Sequence, residues 1–153
     1  MTNLDTSRGY FAIGAERMSK SLNLGNLMRS AHAFGAAFTF TIGANYSALE
    51  AIADTSRGSQ HLPHYDWRDL GELALPRGCK LVAVELIDDA IDLPRFLHPQ
   101  RAAYVLGPER GSVSPELLAR CDMAVKIPAR FCINVAMAGA IVMYDRLISR
   151  TSA

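Results

Sequence analysis

The sequence predicts an α/β fold, a mostly parallel sheet with helices packed on both of its faces. Short apolar runs rich in β-branched and aromatic residues alternate with stretches whose apolar residues recur at helical spacing, the order that builds successive β-α-β units. Turn formers close these runs at Gly14, Gly35, Gly43, Pro76-Arg77-Gly78, Gly107 and Pro128. No internal repeat, low-complexity segment or linker interrupts the pattern. The 153 residues are therefore expected to form a single domain, 1–153, long enough to bury about 70% of its unfolded surface.

The elements follow in order. Tyr10-Phe11-Ala12-Ile13-Gly14 is a short buried strand. Asn23 opens a helix through Leu24, Leu27, Met28, Ala31 and Phe34, stopped by Gly35. Ala37 to Gly43 is a second strand. From Asn45 to Pro76 the pattern weakens, with a polar loop from Thr55 to Pro63 and a short helix over Asp69 to Leu75. Leu81–Ile87 and Ala102–Leu106 are strands, separated by an acidic, turn-rich segment from Asp88 to Pro94. Ser114 caps a helix from Pro115 to Cys121, with proline at the first helical position. Met123–Ile127 is the last strand, and Asn134 to Ile148 the last helix.

Composition excludes several classes. The chain is 50% hydrophobic and 20% charged, which rules out a disordered polyelectrolyte. The N-terminus has neither the basic start nor the apolar core of a signal peptide. The most apolar stretch, Ile133 to Tyr144, falls well short of the roughly 20 residues that span a bilayer. Cys79, Cys121 and Cys132 are odd in number and widely spaced. They read as reduced thiols in a cytoplasmic protein, not as a disulfide framework or a metal site. Net charge is only +1, but it is unevenly spread. Residues 101–150 hold seven Lys and Arg against four acids, while 51–100 hold five against eight. A local basic face of this kind can steer a phosphate backbone, although a solvated helix face accounts for the same numbers.

Several residues carry candidate chemistry. The dinucleotide and P-loop fingerprints are absent. Gly107, Glu109 and Gly111 lie just past a buried strand, where α/β proteins hold ligands. A plain tight turn explains Gly111 as well, and Glu109 either binds a ligand or caps a turn. His61-x-x-His64 reads as surface rather than metal ligand. Arg29 stands in an apolar helical segment, LGNLMRSAHAF, with Asn26 three residues before it on the same face. A buried arginine needs an anion or a carboxylate, and Glu109 or a C-terminal carbonyl would serve as a purely structural partner.

Three blocks in order give these residues a context: Asn23-Leu24-Gly25-Asn26-Leu27-Met28-Arg29, then Leu106-Gly107-Pro108-Glu109-Arg110-Gly111 with Ile127-Pro128, then Cys132-Ile133-Asn134-Val135-Ala136. Together they resemble the SpoU/TrmH family of RNA ribose 2′-O-methyltransferases, within the SPOUT group, over residues 10–149. The resemblance implies a C-terminal trefoil knot, where topology rules alone predict an unknotted sheet. It also implies S-adenosyl-L-methionine as cofactor, an RNA substrate and a homodimer, and the short chain favours tRNA over rRNA. The cofactor would lie against Val84, Leu106, Gly107, Ile127, Cys132 and Ile133. Arg29 would carry the chemistry as a guanidinium that clamps phosphate and stabilises the developing alkoxide, because a pKa above 12 makes free-base arginine scarce. Asn23 and Glu109 would support it, and Asn134 would order the site. The small residues Ala136, Ala138, Gly139 and Ala140 would pack either across the dimer or within one protomer.

Two features depart from the family pattern. Cys132 stands where many relatives have serine, and the segment Ala129-Arg130-Phe131 is short. RNA recognition is expected from this single domain, without a separate RNA-binding extension. Two other functions remain in view: a non-catalytic RNA-binding or assembly module that keeps the fold, and an unrelated nucleotide-binding protein such as a small oxidoreductase.

Overall fold

The computed structural model describes residues 9–45 and 62–151. Most of the predicted polar loop, Thr55 to His61, lies outside them. The seven strands are β1 (Tyr10–Glu16), β2 (Phe38–Ile42), β3 (His64–Trp67), β4 (Lys80–Val84), β5 (Ile91–Asp92), β6 (Arg101–Leu106) and β7 (Met123–Lys126). The helices are α1 (Ser21–Ala33), α2 (Pro115–Arg120) and α3 (Val135–Thr151), with 3-10 turns at Leu70–Glu72 and Leu93–Arg95. All pairings are parallel, in the order β3-β2-β1-β6-β4-β7-β5.

Alternation along the strands builds two cores. Phe11, Ile13 and Ala15 of β1, with Tyr104 and Leu106 of β6, face Leu24, Leu27, Met28 and Ala31 of α1 and Val142 and Met143 of α3. The intervening Ala12, Ala103 and Val105 face Phe38, Phe40, Val113 and Leu117 on the opposite side, where α2 packs. Helices thus cover both faces, as the alternation of elements predicts. Because β1 and β6 are buried on both sides, they read as continuous apolar runs.

Several boundaries differ from expectation. β4 ends at Val84, not at Ile87, and the residues beyond it leave the sheet to form a loop. α1 begins two residues before Asn23, after Lys20. The Asp69–Leu75 segment forms only the 3-10 turn at Leu70–Glu72. Strand β5 is two residues long and β3 only four, too short for the sequence to reveal. β3 is held by polar pairs at the sheet edge: Thr39 Oγ1 lies 2.8 Å from His64 Nδ1, and Thr41 Oγ1 donates to Asp66 Oδ1 at 3.0 Å.

Helix α3 is fixed at its far end by a buried arginine. Arg146 donates to the carbonyls of Pro99, Tyr10 and Gln100 and to the Tyr104 hydroxyl, with its guanidinium over the Phe11 ring. Five donors in a planar fork can satisfy this many acceptors at once, so the charge tolerates burial. With its C-terminal half bolted to the N-terminal ends of β1 and β6, α3 presents its N-terminus at the opposite edge of the sheet. Among the described residues no helix is long and apolar enough to cross a membrane.

Candidate active site

The C-terminal ends of β4, β6 and β7 open into one cleft. The loops after these strands and the heads of α1 and α3 enclose a cavity of about 250 Å³. Val84, Leu106, Gly107, Ile127, Cys132 and Ile133 all line it, as do Asn23, Glu109 and Asn134. Arg29 does not. It is exposed on α1, off the buried stripe of Leu24, Leu27, Met28 and Ala31. The expectation of a buried, paired arginine is therefore corrected. Leu27, Met28 and Ala31 turn to the core, and Arg29 falls on the wet side of the same helix. Six residues at 1.5 Å rise put it about 9 Å along the axis from Asn23.

Two asparagines join the helices at the cleft wall. Asn134 Oδ1 accepts from the amides of Ala136 at 2.9 Å and Met137 at 3.2 Å, capping α3. That use of its oxygen leaves the Asn134 amide nitrogen to donate to Asn23 Oδ1 at 3.0 Å. Asn23 in turn retains its own NH2 as a donor beside the cavity.

Glu109 reaches across from the β6–α2 loop to the start of α1. Its carboxylate accepts from Lys20 N at 2.8 Å, Ser19 N at 3.1 Å and Ser19 Oγ at 3.0 Å. Lys20, the residue before the helix, makes no side-chain cap, so a distant carboxylate satisfies amides at the positive end of α1. Burial pushes the Glu109 carboxyl up. Hydrogen bonds from its own amide, Lys20 and Ser19 outweigh that and hold it below the usual carboxylate range. Glu109 thus pairs with helix amides, not with Arg29.

The loop between them is tightly determined. A Cβ on Gly107 would lie 2.8 Å from Val113 N and 2.9 Å from Ser112 C, so glycine is required because the loop folds back over it. Gly111 sits at φ 120°, a conformation that favours glycine whatever binds nearby. The other side of the loop is clamped by Glu16, buried at the end of β1. It accepts from Ser114 N at 2.7 Å and Ser114 Oγ at 2.6 Å, while Ser114 Oγ also accepts from Leu117 N to cap α2.

Sequence patterns missed Lys20, Glu85, Leu86, Pro108, Phe131, Val135 and Ala138 in the cavity wall. Phe131 is 75% exposed at the rim, a large apolar residue left in water. Its place between Pro128 and Cys132, outside any strand or helix, was the available signal. The small residues of α3 are engaged within the protomer. Ala136 and Ala138 are buried, and a Cβ on Gly139 would run into Leu27 and Ile13. The outward face of α3 carries Met137, Ile141, Tyr144 and Ile148, all at least 40% exposed.

Comparisons with known proteins identify the family. The SpoU rRNA Methylase family matches residues 10–144. The chain belongs to that family. A tRNA (guanosine(18)-2′-O)-methyltransferase of Mus musculus is 28% identical over 93% of the chain, which spans only 10% of that relative's length. The enzyme of the same description from Thermus thermophilus is 27% identical, covering 90% of this chain and 74% of its own. Among solved structures, the SpoU methyltransferase AviRb from Streptomyces viridochromogenes, in complex with the cofactor AdoMet, superimposes with a TM-score of 0.80. The match covers 100% of this chain and 64% of that one at 24% identity, which supports the SpoU fold.

Proposed function

We propose that the chain methylates the 2′-oxygen of a ribose in structured RNA, with tRNA favoured over rRNA and S-adenosyl-L-methionine as methyl donor. The observation that carries this is the convergence of all three family blocks on one cleft. Asn23, Glu109 and Asn134 meet there beside a slot lined by Val84, Leu106, Ile127 and Ile133. The tRNA substrate is supported by the activity for which the mouse and Thermus relatives are named.

The cleft fits an adenosine with an attached amino acid. A slot walled by Val84, Leu106, Ile127 and Ile133 suits the adenine, and Asn23, Asn134 and Lys20 supply polar groups to the same cavity. Val84, Leu106, Gly107, Ile127, Cys132 and Ile133 would hold it. When bound, this cofactor supplies an electrophilic methyl group on a sulfonium. The protein's own contribution is placement. Asn134 bonds α3 to α1 through Asn23, and Glu109 holds the start of α1, so the two helix heads keep a fixed separation while a ribose hydroxyl is aligned. Arg29, on the exposed side of α1, acts on the RNA. Its guanidinium engages the phosphate beside the target ribose and, once RNA is seated, stabilises the oxyanion that forms as the hydroxyl loses its proton to phosphate or water.

Two structural features belong to the same proposal. The C-terminal part of the chain forms a trefoil knot, a reading supported by the family match over residues 10–144. The protein works as a homodimer through the outward face of α3, a reading supported by the exposed Met137, Ile141 and Tyr144, which recur at four and three residues and form an apolar stripe in contact with water.

Arg29→Ala tests the assignment. Methyl transfer to RNA is expected to fall at least about a hundredfold, the size typical of losing one charge-stabilising group, with S-adenosyl-L-methionine binding unchanged by calorimetry. An active variant would remove Arg29 from the chemistry. The position of Arg29 outside the cavity also suits a non-catalytic RNA-binding or assembly module, and any transfer of methyl groups to RNA by the native protein excludes it.

A further inference from the structure

A second hollow adjoins the cleft, lined by Arg17, Ser19, Lys20, Pro108, Glu109 and Arg110. Lys20, Pro108 and Glu109 line both spaces, so a single wall of side chains divides them. Three cations face one carboxylate in this hollow. Both oxygens of that carboxylate already accept hydrogen bonds from Ser19 and Lys20 at the head of α1. Arg110 and Lys20 are exposed. Arg17 donates to Ser112 O at 2.7 Å and its Nε stands 4.0 Å from Glu16, yet its side chain remains 53% exposed.

The backbone adds a second observation. Arg17 has φ 57°, the one positive value at a non-glycine among the described residues. A side chain in that region costs about 1 kcal/mol or more and persists only where the surroundings enforce it. Here the Arg17 amide donates to Ile42 O at 2.7 Å, which holds the turn while the guanidinium lies against the β6–α2 loop.

We propose that this hollow is a phosphodiester subsite, in which Arg17, Lys20 and Arg110 hold the RNA backbone next to the ribose presented to the cleft. The proposal rests on the cleft being the site of ribose methylation. Guanidinium groups pair with phosphate oxygens through two parallel N–H bonds, and lysine adds a point charge. A backbone phosphate seated here places its neighbouring sugar over the Lys20–Glu109 wall. The carboxylate of the cofactor's amino acid shares the anionic chemistry, and Lys20 faces both spaces, so the test must separate these two sources.

Arg110→Ala, Arg17→Met and Arg17→Lys would be compared with the native protein. Unfractionated tRNA binding is measured from low to high salt, S-adenosyl-L-methionine binding by calorimetry, and methyl transfer by label incorporation. Each charge removed should weaken tRNA binding about tenfold at low salt and reduce the slope of log affinity against log salt by about one. Cofactor affinity should not move. Arg17→Lys should restore the slope, which a purely structural role for Arg17 would not. Unchanged tRNA affinity and slope in both Arg110→Ala and Arg17→Met would overturn the subsite, as would weakened cofactor binding with tRNA binding intact, or native protein that binds no tRNA. If native protein binds tRNA through these cations but transfers no methyl group, the subsite stands and the function assigned to the cleft falls.

Discussion

Asn134 performs two jobs with opposite ends of one amide, and two substitutions pull them apart. Asn134→Ala removes the cap of α3, worth about 1 kcal/mol, and the bond to Asn23, worth about 0.5–1 kcal/mol at a partly exposed site. The sum, about 1.5–2 kcal/mol, should lower Tm by about 4–6 °C for a chain of this size. Asn134→Ser keeps an oxygen to accept from Ala136 and Met137, and serine caps helices about as well as asparagine. Its side chain is too short to reach Asn23 Oδ1, bonded at 3.0 Å in the native protein. Only the bond to Asn23 is lost, so Tm should fall by no more than about 3 °C. The bridge between the helix heads is nevertheless broken. Methyl transfer should therefore fall in both variants while Asn134→Ala is the more destabilised. Scanning calorimetry beside a transfer assay reads both quantities. If Asn134→Ser lost as much stability as Asn134→Ala, the cap would not be the stabilising contact. If Asn134→Ser kept full activity, the Asn23 bridge would have no part in ordering the site.

Three further outcomes follow from the same geometry. Gly107→Ala brings a methyl group 2.8 Å from the Val113 amide nitrogen, so the loop must shift at a cost of about 1–3 kcal/mol. Calorimetry should then show markedly weaker cofactor binding. Glu109→Gln replaces a charged acceptor by a neutral one at the head of α1 and should cost about 1–2 kcal/mol at neutral pH. Because the native carboxyl titrates below its usual range, its contribution is present above the unfolded pKa and is lost as pH falls through the folded one. Urea melts of the two proteins should therefore converge in acid. His64 is held neutral by burial, its pKa pushed down to about 4 against an opposing pull from Asp66. The unfolded chain takes up this proton near pH 6.5, so stability is full above that and falls by up to about 3 kcal/mol as pH drops towards 4. Urea denaturation of native protein and His64→Gln across that range should show the slope in the first and its loss in the second.

Much of the fold could be read from the chain because local chemistry and global burial agree there. The runs at Tyr10, Ala102 and Leu81 are apolar on both faces, as central parallel strands must be, and Ser114-Pro115 announces the start of α2 through cap and proline. Strand β3 escaped because it is only four residues, His-Tyr-Asp-Trp, at the end of a weakly patterned segment, and polar pairs with Thr39 and Thr41 hold it rather than buried apolar residues on both faces. Strand β5 escaped because two residues carry no period at all.

The sequence by itself determined the class of fold, the family and part of the cleft wall, while Lys20, Glu85, Leu86 and Phe131 were not legible in it and Arg29 lies outside the cleft. The resemblance of three blocks to the family picks out Asn23, Gly107, Glu109, Ile127 and Asn134, each at its place in its own block. Only the tertiary structure decided which of these touch. Partners such as Asn23 and Asn134, or Glu109 and Ser19, lie about ninety or more residues apart, and no local periodicity encodes which far-off donor a side chain meets. The direction of Arg29 was settled the same way. A helical stripe says that a residue neighbours the apolar face, but whether it points inward depends on where the sheet lies, and here Leu24, Leu27 and Ala31 take that side.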